Sequence, residues 1–305
     1  MNRQARSRSS RTCPRRWVIP GSAVVLLLIQ AAMLQGQGPR KLVPQLTVGQ
    51  TLRYENHTRL QRQVKTESRV SSMLGPREGR EEFSSRLRLT VTGVRKIGGR
   101  PVVSASAEVQ SESSEGGAAK EKNVQFTVAG NGQLTGVHGT EGLSAEERLA
   151  CQFWLARFAY GWTLPSGGAK PGDKWKTEEE ETSPSPIAKL WWERETAYVR
   201  NDRCPVLPAE SCAVFLTRAV LKQKSPSKDA TPEDYRLREL KTSGTAQGTN
   251  ETITYISLRT GLMMRATEDV HQVMDVIVTK ADGSNGVRYA VEVKSSFETV
   301  LAPGP

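Results

Sequence analysis

The sequence predicts a mainly β protein: an antiparallel meander forming one curved sheet, a partial barrel, or two sheets, around one central helix. Three observations carry this. Apolar residues alternate with a period of two over most of the chain beyond residue 38. Turn pairs such as Gly98-Gly99, Thr260-Gly261, Asp282-Gly283 and Asn285-Gly286 separate those runs. Only one stretch, 144–162, has helical spacing, so strands do not alternate with helices as a parallel α/β sheet requires. Apolar residues, glycine not counted, make up 37% of the 305, below the usual range of about 45–50%, which counts glycine. A sheet buried on one face needs no more.

The first 38 residues read as a separate segment. Arg3, Arg6, Arg8, Arg11, Arg15 and Arg16 precede a mainly apolar run from Trp17 to Leu34, and no acid interrupts them. Basic residues resist translocation while the apolar run enters the membrane, so the segment predicts a signal peptide or signal anchor, with membrane contact through residues 17–34. Gly36-Gln37-Gly38 offers small residues for cleavage; the alternative is retention as an anchor. Arg15-Arg16 partly matches a twin-arginine signal but lacks the preceding Ser or Thr. The chain is therefore expected in an extracytoplasmic, periplasmic compartment. Removing these six arginines lowers the formal charge from +11 to +5 for residues 39–305. No basic stripe remains, which argues against nucleic-acid binding.

Export bears on the cysteines. An oxidising compartment favours disulfides. Cys204 and Cys212 flank Pro205 and Pro208 in a turn-like segment and form the preferred pair. Pairing of either with Cys151 is the alternative, and would tie the helix to the second half of the chain.

The elements follow in order. After an exit linker, Leu52, Tyr54, Leu60 and Val64 mark a first strand, which Val70–Leu74 could extend. Residues 75–82 read as a loop. Phe83, Leu87, Leu89 and Val91 run toward Gly98-Gly99, and Val103, Ala105, Ala107 and Val109 return. Val124, Phe126 and Val128 make another strand, turned by Gly130-Asn131-Gly132 toward Leu134 and Val137. These strands, 39–143, form the N-terminal part. Ser144 and Glu147 match a capping box, and Leu149, Phe153, Ala156 and Tyr160 form an apolar stripe widened by Trp154, Leu155 and Phe158. Gly161 is the expected stop.

Residues 163–175 read as a hinge built on Leu164, Pro165, Pro171, Gly172, Asp173 and Trp175. Asp173 is read as a turn carboxylate, the alternative being a catalytic acid. The acidic run Glu178–Glu181 reads as a solvated edge. The C-terminal strands, 176–302, are expected at 190–200, 212–221, 235–240, 252–258, 262–280 and 287–300, with 39–302 forming one domain. Trp191 and Trp192 fall on opposite faces.

The hinge, Leu164-Pro165 followed by Lys170-Pro171-Gly172-Asp173-Lys174-Trp175, resembles a passage in a group of uncharacterised exported bacterial β-rich proteins that carry LP…PGDxW. The resemblance covers about residues 124–270. It implies an extracytoplasmic β-fold and brings no catalytic residues.

No nucleophile elbow, zinc-protease helix, phosphate loop or dinucleotide fingerprint occurs. No cofactor or metal is expected; His271 shares its face with Asp269 and Asp275 and reads as a polar outer surface. Asn56-His57-Thr58 and Asn250-Glu251-Thr252 are glycosylation sequons in a eukaryotic host only. The aromatics Phe153, Trp154, Phe158, Trp162, Trp191 and Trp192 either line a site for an apolar ligand or fill the core. The expected function is thus a non-enzymatic envelope protein binding an apolar ligand on a concave sheet. The alternative is a membrane-anchored assembly module that binds an envelope protein through its sheet edges.

Overall fold

The structure is a computed structural model that describes residues 38–67, 77–113, 121–143, 145–181, 185–187, 189–223 and 231–302. Residues 39–305 form one compact unit. Eleven strands build a single open sheet: β1 (Thr51–Glu67), β2 (Arg77–Ile97), β3 (Arg100–Ser113), β4 (Glu121–Val128), β5 (Leu134–His138), β6 (Lys174–Glu180), β7 (Leu190–Arg203), β8 (Ser211–Gln223), β9 (Leu240–Ser257), β10 (Met263–Lys280) and β11 (Val287–Leu301). Helix α1 (Ala145–Thr163) separates β5 from β6, and a one-turn helix α2 (Glu233–Arg236) precedes β9.

The strand order is β5-β4-β3-β2-β1-β11-β10-β9-β8-β7-β6, antiparallel throughout. The first strand, β1, lies in the middle of the sheet, and the following strands meander out to β5. It crosses through α1 to the opposite edge and meanders back until β11 pairs with β1. Of the expected alternatives, one curved sheet, a partial barrel or two sheets, a single sheet that does not close on itself is found. The two meanders join because Tyr54–Glu67 pairs in unbroken register with Arg288–Leu301.

Several elements differ from the sequence reading. Residues 77–82 are strand, because β2 must match the full length of β1: Arg77 stands opposite Val64. Residues 233–236 are helical and β9 starts at Leu240, since Pro232 opens a helical turn instead of a strand. Lys174–Glu180, read as hinge and solvated edge, is edge strand β6. Val70–Leu74, Ser144 and the membrane-contact run 17–34 lie outside the described residues. Among the described residues no helix is long and apolar enough to cross a membrane.

Helix α1 buries Cys151, Trp154, Leu155, Phe158, Ala159 and Trp162, a set spaced by three and four residues. That face displaces the predicted one: Ala156 is exposed and Phe153 only half-buried. The buried stripe packs on Tyr54, Leu87, Leu89, Val103, Val124 and Phe126 of β1–β4. Edge-to-face contacts join Phe126 to Trp154 and to Phe158, at 5.6 and 5.8 Å between ring centres. Gly161 does not end the helix, which runs to Thr163. A Cβ there would lie 2.8 Å from Pro44 Cδ and 3.2 Å from the Gly261 carbonyl oxygen, so its role is close approach of the entry segment.

A band that is polar except at Phe297 crosses the same sheet face. Thr58, Phe297, Glu268, Thr252, Thr217 and Thr196 stand in register from β1 to β7, all buried. Arg157 of α1 reaches into it and donates to Glu268 at 2.5 Å, both side chains no more than 10% exposed. Asn250 donates to the other Glu268 oxygen, and Thr252 to Asn250 Oδ1 at 3.0 Å. Removing one partner of a buried ion pair strands the other charge. Glu268→Ala is therefore expected to lower unfolding free energy in urea by about 3–5 kcal/mol, and Arg157→Met with Glu268→Leu by clearly less.

Candidate functional site

The hinge is a set of closed turns. Gly172 sits at φ +95°, a backbone state that favours glycine. The Asp173 carboxylate accepts from the Lys170 N–H at 2.9 Å, and the Asp173 carbonyl accepts from Tyr198 N–H at 2.9 Å. Asp173 therefore holds the turn and guides the chain into β6. Leu164 is buried with Tyr160, Tyr198 and Phe215, and Trp175 lies edge-on to Phe215 at 6.0 Å. Pro165 and Pro171 flank Ala169, which forms an isolated two-way bridge with Arg40.

The aromatic candidates separate into different surroundings. Trp154, Phe158 and Trp162 belong to the α1 core, and the Trp162 indole donates to the Pro101 carbonyl at 3.0 Å. Phe153 stacks on Phe297 at 4.6 Å, and the Arg157 guanidinium lies over the Phe153 ring, 5.3 Å from its centre. Trp192 is buried with Ile187, Leu190 and Leu221, and donates to Glu181 at 2.6 Å. Trp191 is half-buried on the opposite sheet face. None of the six lines either of the grooves described below.

Cys204 and Cys212 are disulfide-bonded, with Cα atoms 5.0 Å apart. Cys151 is a buried free thiol whose pKa burial pushes up to about 12, so it is no nucleophile near neutral pH. Burial likewise raises the Tyr160 pKa, opposed by Thr217 and Arg157 beside it.

His271 lies on the outer face and meets Glu292 at 2.9 Å, while Asp275 is bound by Arg288 at 2.8 Å. Two of the three possible cation ligands thus have protein partners. Among the described residues no three His, Cys, Asp or Glu side chains gather as a metal site. Both sequon asparagines are structural: Asn56 accepts from Thr299 at 2.7 Å, Asn250 donates to Glu268, and each is at most 5% exposed.

The larger groove lies on the sheet face opposite α1, where sequence reading placed nothing but solvent. It is a trough of about 770 Å3. Its floor is the backbone of Leu60, Ser295, Val270, Asn250 and Ala219, aligned across β1, β11, β10, β9 and β8. Strand alternation makes the neighbours of each floor residue point outward. One wall is Arg59, Ser296, Asp269, Glu251 and Arg218; the other is Gln61, Lys294, His271, Thr249 and Val220, with Arg80 beside Gln61. Arg59 binds Glu82 at 3.0 Å and Arg218 binds Glu251 at 2.8 Å. Lys294 and His271 share Glu292, each at 2.9 Å, and they hold its carboxyl below the usual range. The walls thus combine polar side chains with the stems of Arg59, Arg218 and Lys294, whose charged ends are each paired with a glutamate. Only register could have revealed the trough, because its two walls line up residue by residue across neighbouring strands and over the long-range β1–β11 joint.

A smaller groove of about 330 Å3 lies among Glu180, Glu181, Ile187, Leu190, Pro232 and Tyr235.

No family model matches the sequence, and no curated protein does. Two solved structures are similar in part. One is a candidate lipoprotein from Parabacteroides distasonis ATCC 8503, with 10% identity, TM-score 0.30, and coverage of 87% of this chain and 98% of that one. The other is DynF from the dynemicin biosynthesis pathway of Micromonospora chersina, with 9% identity, TM-score 0.19, and coverage of 87% and 86%.

The disulfide closes a loop with a sequence separation of 8 residues. In the chain-entropy account such a loop contributes about 2–3 kcal/mol. Cys204→Ser with Cys212→Ser is expected to lower unfolding free energy by about that amount, read by chemical denaturation.

Proposed function

We propose that this chain is an exported, non-catalytic protein of the cell envelope that holds an apolar or amphipathic ligand in the trough opposite α1. The trough is the observation that carries the reading. It has the size of a small-ligand site, and an elongated apolar group can lie along the side-chain stems of its walls while polar ends meet the charged tips. Of the aromatics that the sequence offered as ligand contacts, Trp154, Phe158 and Trp162 pack in the α1 core and Trp192 packs beside β8. Export is supported by the Arg-rich and apolar residues 1–34 together with the Cys204–Cys212 bridge.

A second reading, an assembly module anchored through residues 17–34, is favoured by one observation: the sheet is open, with β5 and β6 at its edges. Edge strands present unpaired backbone groups to another chain.

The ligand reading is tested by native mass spectrometry and lipid extraction on full-length protein purified from its host. Wild-type protein is expected to carry a bound small molecule. Val220→Arg, which fills the trough at its β8 end, is expected to carry much less with an unchanged circular dichroism spectrum. Wild-type protein that is consistently empty, or a variant loaded as well as wild type, contradicts the assignment.

A further inference from the structure

We propose that β6 is a self-complementary edge through which two copies of this chain join their sheets antiparallel, about a two-fold axis at Thr177. The proposal is independent of the trough. It rests on the second reading above, and commits the partner at this edge to another copy of the chain.

The first argument is the hydrogen-bond pattern. β6 pairs with β7 on one side and ends the sheet on the other. The Glu181 N–H donates to Leu190 and the Asp173 carbonyl accepts from Tyr198, each at 2.9 Å. Odd-numbered residues therefore turn their backbone groups toward β7. By alternation, Lys174, Lys176, Glu178 and Glu180 turn theirs outward from the edge. Six of the seven β6 residues are exposed, all but Trp175.

The second argument is charge order. β6 reads Lys-Trp-Lys-Thr-Glu-Glu-Glu. Place a second copy antiparallel with Thr177 opposite Thr177. Lys176 then faces Glu178 of the second copy, and Lys174 faces its Glu180; the two-fold repeats both pairs. Opposite charges directly across strands stabilise, and like charges destabilise.

Both arguments select the same register. With Thr177 on the axis, the outward-bonding residues meet each other: Lys174 with Glu180, Lys176 with Glu178. Moving the axis to Lys176 or Glu178 sets like charges face to face. Moving it between residues sets outward-bonding against inward-bonding residues. Charges on an edge ordinarily block pairing. Here their order blocks other strands and admits its own inverse, as a two-fold interface requires. β5 offers no such match: it spans only Leu134–His138 and is broken by Gly136 at φ +58°.

Cross-linking and charge exchange on the full chain test this, in a Cys13→Ser background. Thr177 pairs with itself at a non-hydrogen-bonded position, where Cα atoms lie about 4.5 Å apart, within disulfide reach of about 4.4–6.8 Å. Thr177→Cys is expected to form a disulfide dimer under mild oxidation, and Glu179→Cys, which faces Trp175 of the second copy, far less. In sedimentation, Lys174→Glu with Lys176→Glu is expected to raise the dimer Kd at least about tenfold. Adding Glu178→Lys and Glu180→Lys is expected to restore it. Equal cross-linking of the two cysteine variants, or no recovery in the fourfold variant, overturns the proposal. Neither result bears on ligand occupancy of the trough.

Discussion

The pairing of β1 with β11 is the constraint on which the rest of the structure depends. Each meander could form from neighbours in sequence, but neither alone has the width to carry both α1 and its polar anchor. The β1–β11 ladder joins residues more than 200 positions apart: Asn56 meets Thr299 by backbone register and by a 2.7 Å side-chain bond. Closing so long a loop costs conformational entropy before any contact is gained. Long strands offset it, since the register is continuous from Tyr54 to Glu67. A one-residue slip would turn Tyr54, Asn56, Thr58 and Leu60 to solvent.

Helix α1 works as a crossing between edges as well as a core element. Its tightly packed aromatic face sits on the first meander, while Arg157 and Tyr160 face the second. A buried ion pair is a poor source of net stability, because desolvation offsets the attraction. Its effect is positional: Glu268 on β10 has one oxygen for Arg157 and another for Asn250, so one position of α1 satisfies it. The threonines of the polar band keep strand-compatible, β-branched shapes while adding hydroxyls that pair across strands, as Thr196 and Thr217 do at 2.9 Å. The opposite face is organised differently, by exposed cross-strand ion pairs such as Arg218–Glu251 and Arg288–Asp275. Such pairs hold little stability singly but keep a broad sheet surface soluble.

Much of this was legible in the sequence. Period-two alternation gave β2, β3 and β4, an apolar run gave β8 and turn signals gave β11, and the Gly98-Gly99 and Asp282-Gly283 turns lie where expected. Asp173 and the Cys204–Cys212 pair take the roles that turn chemistry and export suggested. What escaped has physical causes. The stripe of α1 was misassigned because the helix is apolar on more than one side, so Phe153 and Ala156 looked equivalent to Trp154 and Phe158. Strand β6 was hidden because an edge strand has no buried alternation to display. The trough was invisible because its walls depend on the residue-by-residue register of β8 to β11 and on the long-range β1–β11 pairing. The burial of Asn56, Asn250 and the Thr-rich band had no signal, since sequence alone does not distinguish a satisfied buried Asn or Thr from an exposed one.

Function on this account belongs to surfaces that the sheet exposes, the trough on one face and the β6 edge, and both presuppose one continuous sheet. Residue-resolved hydrogen exchange tests that continuity most directly. The amides shared by β1 and β11, around Asn56 and Thr299, are expected to exchange only with global unfolding, at the same rate as those inside β2 and β10. Early exchange along the β1–β11 seam, with β1–β5 and β6–β11 opening as two separate units, would contradict it.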